Sequence, residues 1–355
     1  DENTRYIYTI LAYPDVWESW RADLRKRLAA DQDVTSEILE GIRLIRETAD
    51  RAGEEDGVQL RRRAQEIEET ADLAARARLA LSDELAVLMG RHADRRRATV
   101  YDKELEVVVD RVAARYAAWY EMFPRSQGTV AGRSATFKDC ERRLPEIRAM
   151  GFDVVYLTPI HPIGRTNRKG KNNSLVAGPN DPGSPYAIGN EFGGHKAIEP
   201  SLGTIEDFDH FVATARSLGM EVALDFAIQA SPDHPWVKEH PEWFSYRPDG
   251  TIKYAENPPK KYQDIYPINF DSPAWPAIWE EMRSIVEFWI GHGVKIFRVD
   301  NPHTKPFRFW EWLIAEIQRE HPDVIFLSEA FTRPKVMKLL AKAGFTQSYT
   351  YFTWR

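Results

Sequence analysis

The chain has 355 residues, of which 43% are hydrophobic, and its 48 basic and 54 acidic side chains leave a net charge of −6. This size exceeds one ordinary compact domain, the apolar content excludes a wholly disordered chain, and the acidic balance disfavours a general nucleic-acid binder. The single cysteine, Cys140, excludes an internal disulfide and a cysteine-based zinc cluster. The sequence contains no apolar run of 18 residues, the length that would predict a membrane-spanning helix.

The first predicted elements are helices, because residues 15–123 contain no proline. Apolar side chains such as Ile38 and Ile42 recur at helical spacing among dense charges of both signs. We predict an inserted helical domain over 17–97. The Gly-rich segment 51–57 is expected to separate two long helical runs of a hairpin or small bundle.

Strand-like segments flank this helical block on both sides. Residues 1–16 contain TRYIYTILAY, and residues 98–113 contain TVYDKELEVVVDR, both rich in β-branched and aromatic side chains. Two strands alone are marginally stable in water. We therefore interpret the two segments as remnants of an N-terminal β domain that is incomplete here.

From residue 114 onward, apolar strand-like runs alternate with helical runs. Each of several helices is followed by a glycine that suits a left-handed helix end: Gly151, Gly219, Gly293 and Gly344. Thr204 and Asp207 resemble a capping box. Repeated strand–helix units predict a parallel sheet covered on both faces, and both a doubly wound sheet and a (β/α)8 barrel fit this pattern.

The count of strands bears on the choice of fold. The six predicted strands are 117–123, 153–159, 221–228, 294–300, 324–330 and 348–352. A (β/α)8 barrel needs eight, and the ending SYTYFTWR is typical of a strand that stops at its carboxyl end. Either the count of strands is wrong, or the chain stops two units short of a barrel, and this ending favours truncation.

Three carboxylates stand where predicted strands end, which is where parallel α/β folds place their active sites. Asp225, Asp300 and Glu329 lie toward the carboxyl ends of the third, fourth and fifth predicted strands. A structural role is as plausible for any one of them, but three on successive strands favour a site. Asp300 and Glu329, on adjacent strands, are equipped for retaining glycosyl transfer, in which a nucleophile and a general acid lie about 5–5.5 Å apart.

Four segments in order, GHKAIEPSLGTIEDF, EVALDFAIQAS, VKIFRVDNPHT and VIFLSEAF, resemble the motifs of the α-amylase-type glycoside hydrolase superfamily. More narrowly, GRTNRKGKNNS, SPYAIGNEFGGHKAIEP and YAENPPKKYQDIYPI resemble the α-1,4-glucan:maltose-1-phosphate maltosyltransferases, and the helical block resembles the inserted domain of that family. The resemblance implies that residues 114–355 are a catalytic (β/α)8 barrel of the α-amylase type, truncated after about six units, and we expect the chain in isolation to be inactive. It also implies transfer of maltosyl units from α-maltose 1-phosphate to the non-reducing end of α-1,4-glucans, with phosphate release through a covalent β-maltosyl-enzyme.

The resemblance also implies roles for individual residues. Asp300 is expected to be the nucleophile and Glu329 the general acid/base, while Tyr186 lies against the reacting sugar ring. Arg298 points the same way as Asp300 from the strand and is expected to hold it ionised. Asp225 matches a third-strand aspartate that is more often structural. The superfamily requires a further carboxylate after strand seven, and no position in this chain matches it.

A loop over 164–173 carries four cationic side chains and no acidic one. A local excess of positive charge on an acidic protein attracts anions, which suits a sugar phosphate better than a neutral glucan. A plain surface role stays open for any single lysine. The resemblance places these substrate-binding residues around the donor: Lys169, Gln229, Asp264 and Asn301, with Asn257, Lys260 and Tyr262 as weaker candidates.

Neither a nucleotide nor a metal is expected, and no cofactor is predicted. No Walker A motif or dinucleotide fingerprint occurs, and His161, His195, His234 and His303 are scattered on strand ends or loops without HExxH-like spacing. The resemblance implies a homodimer. We expect a cytoplasmic protein with no nucleic-acid or membrane partner.

Three alternative functions stay open from the sequence. A hydrolase or trehalose-forming isomerase of the same superfamily would act on neutral α-glucans without phosphate and would tolerate Lys169→Ala. A catalytically inactive barrel would bind carbohydrate or serve in assembly, but the presence of Asp300, Glu329 and Arg298 argues against it. The helical block also offers an amphipathic contact surface, which we regard as an addition to catalysis.

Overall fold

The computed structural model of the chain describes residues 3–351, and predictions that fall on residues 1, 2 and 352–355 lie outside the described residues. The chain divides into two compact units, one over Arg5–Val107 and one that combines the residues before Arg5 with those from Val108 onward. No helix within the described range is both long and apolar enough to cross a membrane.

The first unit is built on five helices in its described residues, where the sequence predicted two long runs. Only the first part of the Gly-rich segment 51–57 separates two helices, because Glu54–Gly57 already form the first turn of the next helix. The helix dipole favours acidic side chains in such a first turn. The periodic apolar positions, Ile38 and Ile42 among them, are buried in one core. The helices are α1 (Val16–Ala29), α2 (Thr35–Ala49), α3 (Glu54–Glu69), α4 (Leu73–Ala80) and α5 (Asp83–Arg91).

Short strands occupy the two segments that flank these helices. Strand β1 (Thr4–Tyr8) pairs with β4 (Leu105–Val109), and β2 (Leu11–Ala12) pairs antiparallel with β3 (Thr99–Val100). Nearly all of their side chains are exposed. These segments therefore form two separate two-stranded sheets with little buried surface of their own.

The second unit alternates strands and helices. Its strands are β5 (Trp119–Met122), β6 (Val154–Leu157), β7 (Glu221–Phe226), β8 (Gln229–Ala230), β9 (Ala255–Asn257), β10 (Lys260–Tyr262), β11 (Tyr266–Pro267), β12 (Ile296–Val299), β13 (Ile325–Glu329) and β14 (Gln347–Tyr349). Its helices are α6 (Val112–Arg115), α7 (Phe137–Glu141), α8 (Leu144–Ala149), α9 (Ile205–Ser217), α10 (Pro235–Glu239), α11 (Trp275–Gly291), α12 (Phe307–Glu320) and α13 (Pro334–Lys342).

Six of these strands form one sheet, in the order β5-β6-β7-β12-β13-β14, and every neighbouring pair is parallel. Spatial order equals chain order throughout. A doubly wound sheet reverses its order at a switch point, so this order selects the barrel type. A large apolar core lies between the sheet and its helices, and a smaller cluster that includes Tyr156 and Ile296 covers the opposite face.

The predicted helix ends are confirmed. The four glycines that precede strands adopt left-handed φ angles of 92°, 73°, 86° and 111°, in the order Gly151, Gly219, Gly293 and Gly344. Thr204 and Asp207 form a capping box, in which each backbone N–H donates to the other residue's side chain. The glycines end their helices where the following strands must begin, whereas the capping box fixes the start of α9.

Three histidines that the sequence left scattered meet in one buried cluster. The Nδ1 of His195 lies 3.3 Å from the Nε2 of His234, and the His161 and His195 rings lie 5.6 Å apart. The backbone N–H of Trp236 donates to the Nδ1 of His234, so the proton of a neutral His234 ring is on Nε2. Burial lowers the pKa of His161 to about 4 and that of His234 to about 3, because the interior disfavours imidazolium.

This cluster predicts a loss of stability in mild acid. A histidine whose folded pKa lies below its unfolded value of about 6.5 favours the unfolded chain as the pH falls through 6.5 toward the folded pKa. When the pH is lowered from 7 to 5.5, we expect the unfolding free energy of the parent protein to fall by about 1.3 kcal/mol more than that of the His161→Phe variant, which lacks the titrating imidazole. Urea denaturation at both pH values measures this change. An equal difference at the two pH values would contradict it.

Candidate active site

One guanidinium joins the three carboxylates that end the central strands. The Nη1 of Arg298 lies 2.8 Å from Asp225 Oδ2 and 2.9 Å from Asp300 Oδ1, and its Nη2 contacts Glu329 Oε1. The geometry follows from the strand register, because Arg298 of β12 is paired with Asp225 of β7. Asp300 follows β12 directly and Glu329 ends β13, so both carboxyls emerge at the same edge of the sheet.

Asp225 is fully engaged by protein groups. Its side chain is 0% exposed, and its Oδ2 accepts hydrogen bonds from the hydroxyls of Tyr156 at 2.5 Å and Tyr186 at 2.9 Å, in addition to the contacts from Arg298. Burial raises the pKa of Asp225 to about 6, against the opposing charge of Arg298. Asp225 is thus placed to hold Arg298 and Tyr186 in position.

Glu329 has one carboxyl oxygen engaged and one free. Its Oε1 contacts Arg298 and accepts a hydrogen bond from the Tyr351 hydroxyl at 3.0 Å. Its Oε2 is buried and has no hydrogen-bond partner among residues 3–351. Burial is the main cause that raises the pKa of Glu329 to about 7. Arg298 opposes this shift, whereas the charge of Asp300 and a hydrogen-bonding contact with the Asp300 side chain act in the same direction as burial. A carboxyl with such a pKa exchanges a proton near neutral pH.

Asp300 is the most accessible of the three carboxylates, with 12% of its side chain exposed. Its Oδ1 accepts from Arg298, and its Oδ2 accepts from the Nδ2 of Asn301 at 3.4 Å. Asn301 has a left-handed φ of 44°, so the chain turns sharply after the strand. The arrangement offers one carboxylate held by a cation beside one carboxyl that can carry a proton, which suits nucleophilic attack coupled to acid–base catalysis.

A second group of predicted residues surrounds Lys169. This lysine is only 5% exposed, and its Nζ donates to the backbone carbonyl of Lys261 at 3.2 Å, which joins the loop over 164–173 to β10. Asp264 is 2% exposed, and its Oδ1 has no hydrogen-bond partner in the described part of the chain. Burial raises the pKa of Asp264, and the charge of Lys169 opposes this shift.

The weaker candidates lie together on a hairpin. Strands β9 and β10 pair antiparallel, with Lys260 opposite Asn257 and Tyr262 opposite Ala255. Asn257 and Lys260 are exposed, whereas Tyr262 is half-buried. Gln229 lies between this hairpin and the central carboxylates. Its Nε2 donates to the carbonyl of Tyr186 at 3.0 Å, and the hydroxyl of Tyr186 contacts Asp225. Its strand, β8, pairs with β11, which follows the hairpin in the chain.

Three tyrosines of the site were missed in the sequence. Tyr156 donates to Asp225, Tyr351 donates to Glu329, and the Tyr349 hydroxyl accepts from the Nε of Arg298 at 3.0 Å. The alternation of Tyr349 and Tyr351 at the end of the last predicted strand is a signal that could have found two of them. Tyr156 stands inside an apolar run and gives no such signal.

The last predicted residue near the site is His303, three positions after Asp300 in the chain. The Nδ1 of His303 is buried without a hydrogen-bond partner among the described residues, close enough to Asp300 to be influenced by its charge. Within residues 3–351, no group of three or more His, Cys, Asp or Glu side chains is arranged to hold a metal ion.

Comparison with known proteins identifies both units. A family model described as "Alpha-1,4-glucan:maltose-1-phosphate maltosyltransferase, domain N/S" matches residues 1–111, and one described as "Alpha amylase, catalytic domain" matches residues 119–275. The chain is 57% identical over its whole length to an α-1,4-glucan:maltose-1-phosphate maltosyltransferase of Cereibacter sphaeroides, of which it covers 59%. It is also 57% identical to one of Myxococcus xanthus (strain DK1622), over 99% of this chain and 54% of that protein.

Solved structures agree on the catalytic fold. An alpha-amylase from Lactobacillus plantarum is 27% identical with a TM-score of 0.52, over 65% of this chain and 49% of that one. A maltogenic alpha-amylase, AmyB from Thermotoga neapolitana, is 28% identical with a TM-score of 0.54, over 67% and 50% of the two chains. The predicted α-amylase-type barrel is confirmed, and the chain spans between half and three-fifths of the length of these curated relatives.

Proposed function

The chain belongs to the α-1,4-glucan:maltose-1-phosphate maltosyltransferase family, and from this premise we propose that the protein transfers maltosyl units from α-maltose 1-phosphate to the non-reducing end of α-1,4-glucans and releases phosphate. The observation that carries the proposal is the cluster in which Arg298 holds Asp300 and Glu329 at one edge of the sheet. A cytoplasmic location and a homodimer stay predictions.

The first step of the proposed reaction is attack by Asp300. Its carboxylate forms a bond to the anomeric carbon from the β face as the bond to the phosphate oxygen breaks, which gives a β-maltosyl-enzyme and free phosphate. Arg298 supports this role because its Nη1 donates to Asp300 Oδ1 at 2.9 Å and so orients the carboxylate. Phosphate is a good leaving group and needs little protonation.

The second step uses Glu329 as a base. The Glu329 carboxylate takes the proton of the 4-hydroxyl of the glucan acceptor, whose oxygen then attacks the anomeric carbon of the intermediate and displaces Asp300. Two displacements at one carbon retain the α configuration. The pKa of about 7 supports this role, because Glu329 can accept a proton and release it again near neutral pH.

The donor is proposed to occupy the space between the carboxylates and the Lys169 group. The free Oδ1 of Asp264 suits a sugar hydroxyl, since a carboxylate would repel phosphate. Asn301 beside the nucleophile and the hairpin cation Lys260 suit the phosphate. The substrate-binding residues of this proposal are Lys169, Gln229, Asp264, Asn301, Arg298, Tyr186, Asn257, Lys260 and Tyr262.

A phosphate-release assay on the full-length protein tests the function. We expect phosphate release from α-maltose 1-phosphate to depend on added maltooligosaccharide, with acceptors lengthened by two glucose units. Release that proceeds equally without acceptor would indicate a phosphate-releasing hydrolase. Activity on neutral α-glucans alone, with no use of the sugar phosphate, would refute the proposal.

Glu329→Ala is expected to let the maltosyl-enzyme accumulate, because the first step needs little acid whereas the second loses its base. Intact-mass measurement after mixing with a maltosyl donor that has a good leaving group should show an added maltosyl mass. Glu329→Gln serves as the matched variant, since it keeps the side-chain volume. The absence of any adduct in both variants would count against the assigned base.

A further inference from the structure

Three tryptophan side chains form a stripe on the outer helices α11 and α12 of the second unit. This tryptophan stripe consists of Trp275 and Trp279 of α11 and Trp312 of α12. The ring centroids of Trp275 and Trp279 lie 4.7 Å apart, and those of Trp279 and Trp312 lie 5.3 Å apart. Trp275 is 45% exposed and the other two side chains are half-buried, so each ring keeps part of its surface in contact with solvent.

The local structure holds these rings in place. The backbone N–H of Trp275 donates to the carbonyl of Ser272 at 2.9 Å, and the Ser272 hydroxyl donates to the carbonyl of Glu242 at 2.7 Å, which anchors the start of α11. Trp279 packs on the buried ring of Phe309, at 5.6 Å between centroids. A rigid aromatic side chain on an anchored helix loses little conformational freedom when it binds a ligand, and this favours affinity.

The stripe begins on the catalytic side of the sheet. Trp275 is the first residue of α11, and α11 ends shortly before β12 begins. A helix that connects two parallel strands runs antiparallel to them, so its start lies at the edge where the strands end. The 17 residues of α11 span about 25 Å, whereas the four residues of β12 span about 13 Å. The first turn of α11 therefore reaches the edge at which Asp300 follows β12.

The charged side chains next to the stripe along the two helices nearly balance one another. Arg283 lies 3.3 Å from Glu280 and 3.9 Å from Glu316. Arg308 and Glu311, which precede Trp312 on α12, carry opposite charges. Two arginines and three glutamates leave no positive excess that would attract a phosphate or another anion. The stripe therefore suits an uncharged ligand.

The size of the stripe argues against an interface with another protein. A tryptophan side chain offers at most about 250 Å², so three of them, none more than half exposed, offer less than about 400 Å². A stable interface between two proteins buries about 800 Å² on each partner. The exposed part of the stripe is thus large enough for a few sugar rings and too small for a second copy of the chain.

The arrangement of the rings favours a curved sugar chain. The C–H groups on the face of a glucose ring pack on the electron-rich face of an aromatic ring. The ring planes of Trp275 and Trp279 differ by 62°, and those of Trp279 and Trp312 differ by 38°. A flat chain such as a β-1,4-glucan needs coplanar rings to stack on, whereas an α-1,4-glucan turns from one glucose to the next.

We propose that the tryptophan stripe is a second carbohydrate site, outside the catalytic centre, which binds an α-1,4-glucan chain by stacking on its rings. Trp275 is the principal contact because it is the most exposed of the three. A long glucan held there stays near the edge at which its end reacts. The choice of ligand rests on the proposed maltosyl transfer, but the stripe contains none of the residues assigned to the carboxylate cluster or to the donor.

Electrophoresis of the full-length protein in native gels that contain glycogen tests the site. Glycogen is expected to retard the parent protein, and Trp275→Ala is expected to raise the apparent dissociation constant about tenfold, because the ring that covers the sugar is lost. Trp275→Phe keeps a smaller ring and should fall between the two. The rate of maltosyl transfer to maltotetraose should be unchanged in Trp275→Ala, whereas the KM for glycogen should rise.

Tyr116→Ala is the matched control, because it removes an exposed aromatic ring that precedes β5, at the opposite edge of the sheet. We expect this variant to be retarded as strongly as the parent protein. Gels that contain hydroxyethylcellulose, a β-1,4-glucan, should retard neither protein.

Four results would overturn the proposal. The first is unchanged retardation of Trp275→Ala by glycogen, and the second is equal retardation of the parent protein by the β-1,4-glucan. The third is a smaller particle for Trp275→Ala in size-exclusion chromatography, which would show that a second copy covers the stripe. The fourth is an equal loss of transfer to maltotetraose and to glycogen, which would place Trp275 in the active centre. Retardation requires no catalysis, so a protein that binds glycogen through Trp275 but transfers no maltosyl units would refute the proposed function alone.

Discussion

Replacement of Asp300 by alanine in the full-length protein is expected to lower the rate of maltosyl transfer by about four orders of magnitude or more. Without the carboxylate, no covalent intermediate can form, and phosphate departure has to await attack by water or acceptor alone. Arg298 would also lose one of the carboxylates that it contacts. The rate of phosphate release with saturating acceptor measures the effect.

Two controls separate loss of the nucleophile from damage to the fold. Asp300→Asn keeps an oxygen near Arg298 but removes the nucleophilic carboxylate, so its turnover should fall comparably. Added azide is expected to attack the anomeric carbon from the vacated face in Asp300→Ala, which restores phosphate release and yields β-maltosyl azide. Near-normal turnover in either variant without azide would show that Asp300 is not the nucleophile.

Arg298→Ala is expected to lower the free energy of unfolding by about 3–5 kcal/mol at neutral pH, because it leaves buried carboxylates without their cation. The Asp225 and Glu329 side chains are 0% and 5% exposed, so water cannot replace the guanidinium fully. Urea denaturation of the variant and the parent protein measures the loss. Arg298→Lys is the matched control and should fall between them, since an ammonium cannot span three carboxylates.

The destabilisation should depend on pH in a defined direction. Removal of Arg298 is expected to raise the pKa of Asp225 and Glu329 further above their unfolded-state values. A carboxyl with a raised folded pKa binds protons more readily when folded, so its penalty grows as the pH rises and shrinks as the pH falls. The loss of stability should therefore be smaller at pH 5.5 than at pH 7.5. An equal loss at both would show that the carboxylates find other partners.

Predictions from local pattern agree well with the structure. Each predicted parallel strand overlaps a strand of the sheet, although the strands are shorter because pairing ends before the apolar run does. Asp300, for example, was predicted as the last strand residue, but β12 ends at Val299 and the carboxylate lies beyond it. The helical unit was predicted less well, since periodicity marks a buried face and says little about where short turns interrupt it.

Long-range neighbours were not predictable in the same way. His195 and His234 are 39 positions apart, and they meet because the loops that carry them fold over the same edge. Tyr156 and Asp225 are 69 positions apart and become neighbours through the β6–β7 pairing. No periodicity within either segment encodes such a meeting, so both contacts escaped the sequence reading.

The amino-acid pattern alone was sufficient for the strand–helix alternation, the left-handed glycines, and the carboxylates at strand ends, because backbone geometry and local burial impose these on short segments. The sharing of Arg298 among three carboxylates and the unpartnered oxygen of Glu329 emerged from the folded chain. Their charges act over a few ångström through a medium of low polarity. Such interactions depend on which segments the sheet register brings side by side.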